Sequence, residues 1–156
     1  MDLKELIMRD ILIADFTQDL FQNAFKLYFN ELGIVVNDWD ALFNEITAED
    51  GNKAYIRIDD DDKIIGFIMF KTEILSNWFF EEKVGFIREF WIAREKRNNG
   101  HGSHLLRIAE EFFKENGLYK SILTTNTAEH FYEAHGYYKD KAYAAKNEDE
   151  VFVKLL

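Results

Sequence analysis

The chain has 156 residues, which fits one domain over residues 1–156 with room for a real core, and 47% apolar composition excludes disorder. It has no cysteine, which excludes disulfides, thiol nucleophiles and thiolate metal sites. Its 29 acidic against 19 basic side chains give a net charge of −10, which repels phosphate backbones and disfavours a nucleic-acid partner.

No apolar run approaches the roughly 18 residues of a membrane span, so no membrane partner is expected. The opening Met1–Glu5 is too charged for a signal peptide, which suits a cytoplasmic location. Leu6–Ala14 reads as a first strand. Asp15 or Thr17 then caps a helix whose apolar stripe is Phe21, Ala24, Phe25, Tyr28 and Leu32, ended by Gly33. Asp38–Ile46 reads as a second, short helix with Trp39, Leu42 and Phe43 on its apolar side. Residues 54–59 and 63–71 read as an antiparallel hairpin across the run Asp59–Asp62. That run lacks the alternating ligands and central glycine of a calcium loop, and a solvated turn is the expectation. Residues 72–83 carry no clear pattern. Their Trp78-Phe79-Phe80 is compatible with an acceptor wall, a contact in a homodimer, or the end of a buried strand.

The stretch from Phe86 to Tyr137 is the most legible. Phe86–Ile92 is aromatic and β-branched, as a strand requires. Alternation puts Ile87, Glu89 and Trp91 on one face. A turn, Arg97-Asn98-Asn99-Gly100-His101-Gly102, leads into a helix from Ser103 to Asn116, with Leu105, Ile108, Ala109 and Phe112 as its apolar stripe. Glu110 and Lys114 are spaced to pair on its wet side. A strand entering a glycine turn and then a helix makes a phosphate site. The first helical amides are unpaired and partially positive, and glycine lets a phosphate approach them closely. The spacing is neither a dinucleotide fingerprint nor a Walker loop. Lys120–Thr125 forms the next strand, and the crossover makes it parallel to Phe86–Ile92. Ala128–His135 is a short helix stopped by Gly136, and residues 137–143 and 151–155 finish as strands.

Arg97-x-x-Gly100-x-Gly102, followed downstream by Asn126, Ala128 and Phe131-Tyr132-Glu133-Ala134-His135-Gly136-Tyr137, resembles the GNAT superfamily of acetyl-coenzyme A-dependent N-acetyltransferases. The resemblance implies a single α/β domain, with a central mixed, mostly antiparallel sheet, one parallel strand pair and flanking helices. It implies acetyl-CoA as acyl donor, its pyrophosphate held by the turn from Arg97 through Asn98, Asn99, Gly100, His101 and Gly102 to Ser103. The backbone of Trp91, Ile92 and Ala93 then pairs with the pantetheine arm, and Asn126 contacts the cofactor. In the family pattern the first two helices border the acceptor pocket. Tyr28, Trp39 and Phe43 either line that pocket or pack in the core. His101 stands where the family has an aliphatic residue, and Arg94 where it often has proline. His101 and His104 lack a carboxylate to complete a metal set, so no metal is expected.

The chemistry needs an acid for the departing thiolate and a base for the amine. The tyrosine hydroxyl, with a free pKa of about 10, suits a thiolate of about 8.5. Ala128, Phe131, Tyr132 and His135 form a stripe that spacing alone assigns to the core. The motif position instead makes Tyr132 the candidate acid. Glu89, mid-strand among apolar neighbours, is the candidate base with a pKa raised by desolvation; the alternative is an ion pair with a lysine. The expected reaction is direct attack, in a ternary complex, by a primary amine of a small molecule or peptide, with cationic acceptors favoured by the acidic chain. The competing reading is a catalytically silent acyl-CoA sensor or interaction module on the same fold.

Overall fold

The structure, a computed structural model, describes residues 7–76 and 78–156. Seven strands form one sheet: β1 (Arg9–Ile13), β2 (Asn52–Ile58), β3 (Ile64–Ser76), β4 (Glu81–Ile92), β5 (Lys120–Thr125), β6 (Tyr138–Lys139) and β7 (Glu150–Leu155). Their order is β1-β2-β3-β4-β5-β7-β6, and every pairing is antiparallel except β4 with β5. The expected mixed sheet with one parallel pair is therefore present. The first strand is shorter than its pattern implied, and Leu6 lies outside the described residues.

Helices cover both faces. β3 alternates between two cores, with Phe67 and Met69 on one side and Ile68 and Phe70 on the other, which is why it reads as a continuous apolar run. α1 (Asp19–Leu32) and α2 (Trp39–Ala48) cover the first face. Phe21 is fully buried there, with its ring 4.7 to 6.0 Å from those of Phe16, Phe25, Phe43 and Phe67. Phe21→Ala in such a cluster costs about 3–5 kcal/mol. α3 (His101–Glu115) and α4 (Glu129–Ala134) cover the second face. A Cβ at Gly85 would stand 2.4 Å from the Phe113 ring, so only glycine lets α3 press this closely on β4.

Several local expectations are corrected. α1 begins after Gln18, which offers no side-chain cap. Asp15 instead folds the preceding turn by accepting from the Thr17 amide and hydroxyl. Glu110 does not pair with Lys114; it is buried, accepts from the Tyr137 hydroxyl at 2.7 Å and from Lys154 at 2.9 Å, and Lys114 pairs with Glu111. The strand expected over residues 137–143 is only Tyr138–Lys139, because Asp140 turns the chain by accepting from the Ala142 amide. Residues 72–76 and 81–83 form the outer ends of β3 and β4, and Trp78, Phe79 and Phe80 between them are exposed and not the end of a buried strand.

Candidate active site

The site lies where β4 and β5 separate. They pair only at Gly85–Ser121 and Phe86–Ile122. Just beyond, the β3–β4 register slips: Phe70 faces Ile87 and Met69 faces Glu89, so Arg88 is the extra residue of a bulge. A bulge bends its strand and re-aims the side chains that follow. Strict alternation therefore fails here. Ile87 packs in the α3-side core, whereas Trp91 packs in the α1-side core and Glu89 meets Tyr28 of α1. From Ile87 onward the edge of β4 facing β5 has no strand partner among the described residues, and a cavity of about 750 Å³ opens against it.

The turn after β4 reaches this cavity. Asn98 (φ 64°) and Gly100 (φ 83°) are both left-handed, and the Asn99 side chain clamps the turn by donating to the Lys96 and Arg97 carbonyls. α3 then starts at His101 with Gly100 as its cap and no side chain capping it. The amides of its first turn have no intrahelical partner. A Cβ at Gly100 would meet no atom within 4 Å, so the position borders open space. Gly100, His101, Gly102 and Ser103 line the cavity. This arrangement can take a phosphate-bearing ligand on bare amides at the positive end of a helix.

Arg97 also lines the cavity, but its guanidinium is engaged: Nε donates to the Ile92 carbonyl at 2.9 Å and Nη2 to Glu31 of α1 at 2.6 Å. Glu31 feels burial, which pushes its pKa up, and the Arg97 bond and charge with nearby Arg94, which together hold it below the usual carboxylate range. The Trp91 indole N–H lies near the Glu31 carboxylate without reaching hydrogen-bond geometry. It is the one buried side-chain donor without a partner among the described residues. Both backbone groups of Ala93 are committed, its N–H to Ile65 and its carbonyl to Lys96, so of the three strand-end residues Trp91 and Ile92 line the cavity and Ala93 does not. Asn126 is exposed on the turn after β5, where Thr127 and Ala128 supply the lining.

Tyr132 lines the cavity at 8% exposure, and burial pushes its pKa up to about 12, so it is protonated at neutral pH. Its hydroxyl has no protein hydrogen-bond partner among the described residues. Unlike the Tyr137 hydroxyl, which is held inside the core by Glu110 and Ser121, it belongs to a residue that lines the cavity. Glu89 is half-buried, and its Oε2 accepts from the Tyr28 hydroxyl at 2.7 Å. Burial raises the Glu89 pKa, against the opposing pull of the Tyr28 bond and the Arg88 charge. Tyr28 lines the cavity as well as touching Phe25 and Phe67, whereas Phe43 is wholly core and Trp39 stacks on it.

The two sequence motifs meet through side chains. His135 Nδ1 lies 2.7 Å from the Phe131 carbonyl, which requires that nitrogen to donate; the neutral ring then accepts at Nε2 from the Ser103 hydroxyl at 2.8 Å. The histidines of α3 are tied elsewhere. Arg57 Nε donates to His101 Nδ1 at 3.0 Å, and Asp10 takes both Arg57 Nη1 and His104 Nε2. Sequence reasoning missed Glu31 and Arg57, because charged residues far from the motif carry no local signal.

The profile of the Acetyltransferase (GNAT) family matches residues 9–137. A comparison with curated proteins finds no match. Among solved structures, an acetyl transferase from Pyrococcus furiosus is similar at 22% identity and TM-score 0.69, covering 89% of this chain and 97% of that one. An acetyltransferase from Clostridium acetobutylicum, solved with acetyl-CoA, is similar at 17% identity and TM-score 0.71, over 89% and 95% of the two chains. NAA60 of Arabidopsis thaliana, in complex with a bisubstrate analogue, is similar at 11% identity and TM-score 0.67, over 95% and 99%.

Proposed function

The chain belongs to the Acetyltransferase (GNAT) family, enzymes that draw acyl groups from acyl-CoA, and from that premise we propose that it transfers an acetyl group from acetyl-CoA to the primary amine of a small molecule or peptide. The observation that carries the reading is one cavity bordered by the uncapped start of α3 and by Tyr132, whose hydroxyl has no protein partner among the described residues, with the half-buried Glu89 carboxylate bonded to the cavity-lining Tyr28. The residues present fit the donor. The amides from Gly100 to Ser103 hold its pyrophosphate, and the free edge of β4 at Trp91 and Ile92 takes the pantetheine arm.

Glu89, directly or through water, removes a proton from the amine. The neutral nitrogen attacks the thioester carbonyl, the C–N bond forms, the C–S bond breaks, and the nitrogen gives its second proton to solvent, from which Tyr132 is later reprotonated. Tyr132 protonates the departing thiolate. The excess of acids favours acceptors of net positive charge by raising their encounter rate, an attraction that salt screens. A homodimer is also part of this reading.

The test pairs Tyr132→Phe with an acceptor panel. The variant keeps the packing and loses only the hydroxyl, so turnover falls roughly ten- to ten-thousand-fold with acetyl-CoA affinity nearly intact. Polyamines, aminoglycosides or lysine-rich peptides lead the panel, and their kcat/KM falls with salt. Unchanged turnover in a chemistry-limited assay would return Tyr132 to the core. Neutral amines leading the panel without a salt effect would remove the cationic acceptor. Tight acetyl-CoA binding without turnover on any amine would favour the silent sensor.

A further inference from the structure

β3 and β4 run past the rest of the sheet. β2 accompanies β3 only as far as Lys71, and β5 meets β4 only at Gly85 and Phe86. Val84 is still buried with Ile122 and Val153, so the three outer pairs, from Ile74–Lys83 to Ser76–Glu81, project as a two-stranded arm whose foot is tied by Glu82 to Lys120 and Tyr143. At its tip Trp78, Phe79 and Phe80 are 98%, 86% and 76% exposed. A lone two-stranded arm is marginal in water, and a large exposed apolar cluster on it marks an interaction site.

The foot of the same arm carries a second apolar feature. Paired residues share a face, so Val84 lies with Glu73, and Leu75 with Glu82. On that face a groove of about 430 Å³ is lined by Leu75, Val84 and Phe86, with Ile122, Val151 and Tyr143 completing it. The volume suits two or three aromatic side chains. The tip of the same chain does not reach it, because the ladder stays paired to Ser76–Glu81 and carries the tip beyond Leu75, away from the groove.

We propose that the occupant is a second copy of this chain, the aromatic tip of each arm seating in the groove at the foot of the other. A two-fold axis near the Leu75–Glu82 pair superposes tip on groove in both directions, as a self-complementary interface requires. Three aromatics per copy, at about 150–250 Å² each, bury about 900–1,500 Å² in the dimer. That overlaps the range of about 1,200–2,000 Å² for stable interfaces. An anionic lipid surface fits poorly, because the arm bears Glu73, Glu81 and Glu82 on a chain of net charge −10.

Sedimentation and tryptophan emission over a wide concentration range test the assignment. The wild type dimerises with rising concentration while its emission shifts to the blue, as Trp78 leaves water. Trp78→Ser removes the largest ring of the tip and Ala144→Arg places a charge at the exposed groove rim; each alone stays monomeric and keeps the Tm of dilute, monomeric wild type. Mixed together they associate again, through the intact tip of one and the intact groove of the other. A wild type that stays monomeric, or a dimer that survives both substitutions, overturns the proposal. So does a Trp78 shift produced by anionic vesicles instead of by concentration, or an Ala144→Arg effect confined to acceptor KM.

Discussion

Tyr28→Phe probes how Glu89 is set. The Tyr28 hydroxyl is the side-chain donor to the Glu89 carboxylate, at 2.7 Å, and it stabilises the ionised form. Removing it raises the Glu89 pKa further, in the direction burial already pushes. A hydrogen bond to a charged group contributes about 1.5–3 kcal/mol. At 1.36 kcal/mol per decade, that lowers the ionised fraction about 10- to 150-fold at pH values well below the Glu89 pKa. Water entering the half-buried site moves the effect toward the lower figure. The assay is kcat/KM for an amine acceptor against pH at saturating acetyl-CoA. The acidic limb of Tyr28→Phe should move to higher pH, and the two profiles should converge on the alkaline side. Amine deprotonation also shapes the rise, so Glu89→Gln, alone and with Tyr28→Phe, isolates the carboxylate: in its absence Tyr28→Phe should leave the limb where it is. Parallel profiles, with equal loss at every pH, would refute the assignment of Tyr28 as the group that tunes Glu89.

Gly102→Glu places a carboxylate at the cofactor turn and should abolish the rise in Tm that acetyl-CoA gives the wild type by mass action. The nearest neighbour to a Cβ there is Phe131 at 3.6 Å, so a folded variant with a normal shift would remove the turn from the cofactor site. Glu31→Gln should release Arg97 and tighten acetyl-CoA up to about fivefold, the worth of a partly exposed ion pair of about 1 kcal/mol. Calorimetry should show S-acetylpantetheine, which lacks the pyrophosphate, unaffected, and weaker acetyl-CoA binding would contradict the competition. Glu89 has a raised pKa, so its favourable contribution to stability is full below the unfolded value of 4.5 and is lost as pH rises through the folded value. The Tm advantage of Glu89→Gln should therefore grow from pH 4 to pH 7, and a pH-independent difference would argue that Glu89 is well solvated.

The third of the chain from Phe86 to Tyr137 was legible because its signals are local. A glycine pair before an amphipathic helix and a tyrosine in a short motif keep their meaning wherever the chain goes. Four things were not legible, each for a physical reason. The bulge at Arg88 depends on the partner strand, so alternation placed Ile87 on the wrong face. The arm has solvent on much of both faces near its tip, so residues 72–83 carry no buried-face alternation. Glu31 and Arg57 reach the site from α1 and β2, across 66 and 44 residues from their partners Arg97 and His101, and the bond of Tyr28 to Glu89 spans 61 residues although Tyr28 itself was a pocket candidate. The charge on Glu110 suggested the wet side of its helix, whereas Tyr137 and Lys154 satisfy it inside the core.

Acetyl transfer is tested most directly by incubating the protein with acetyl-CoA labelled in its acetyl group and the amine panel, then following free CoA and labelled amide together. The account predicts one labelled amide for each CoA released, on at least one primary amine, with both signals strongly reduced in Tyr132→Phe and Glu89→Gln. Acetyl-CoA that binds and raises the Tm while neither CoA nor amide appears with any amine would contradict it.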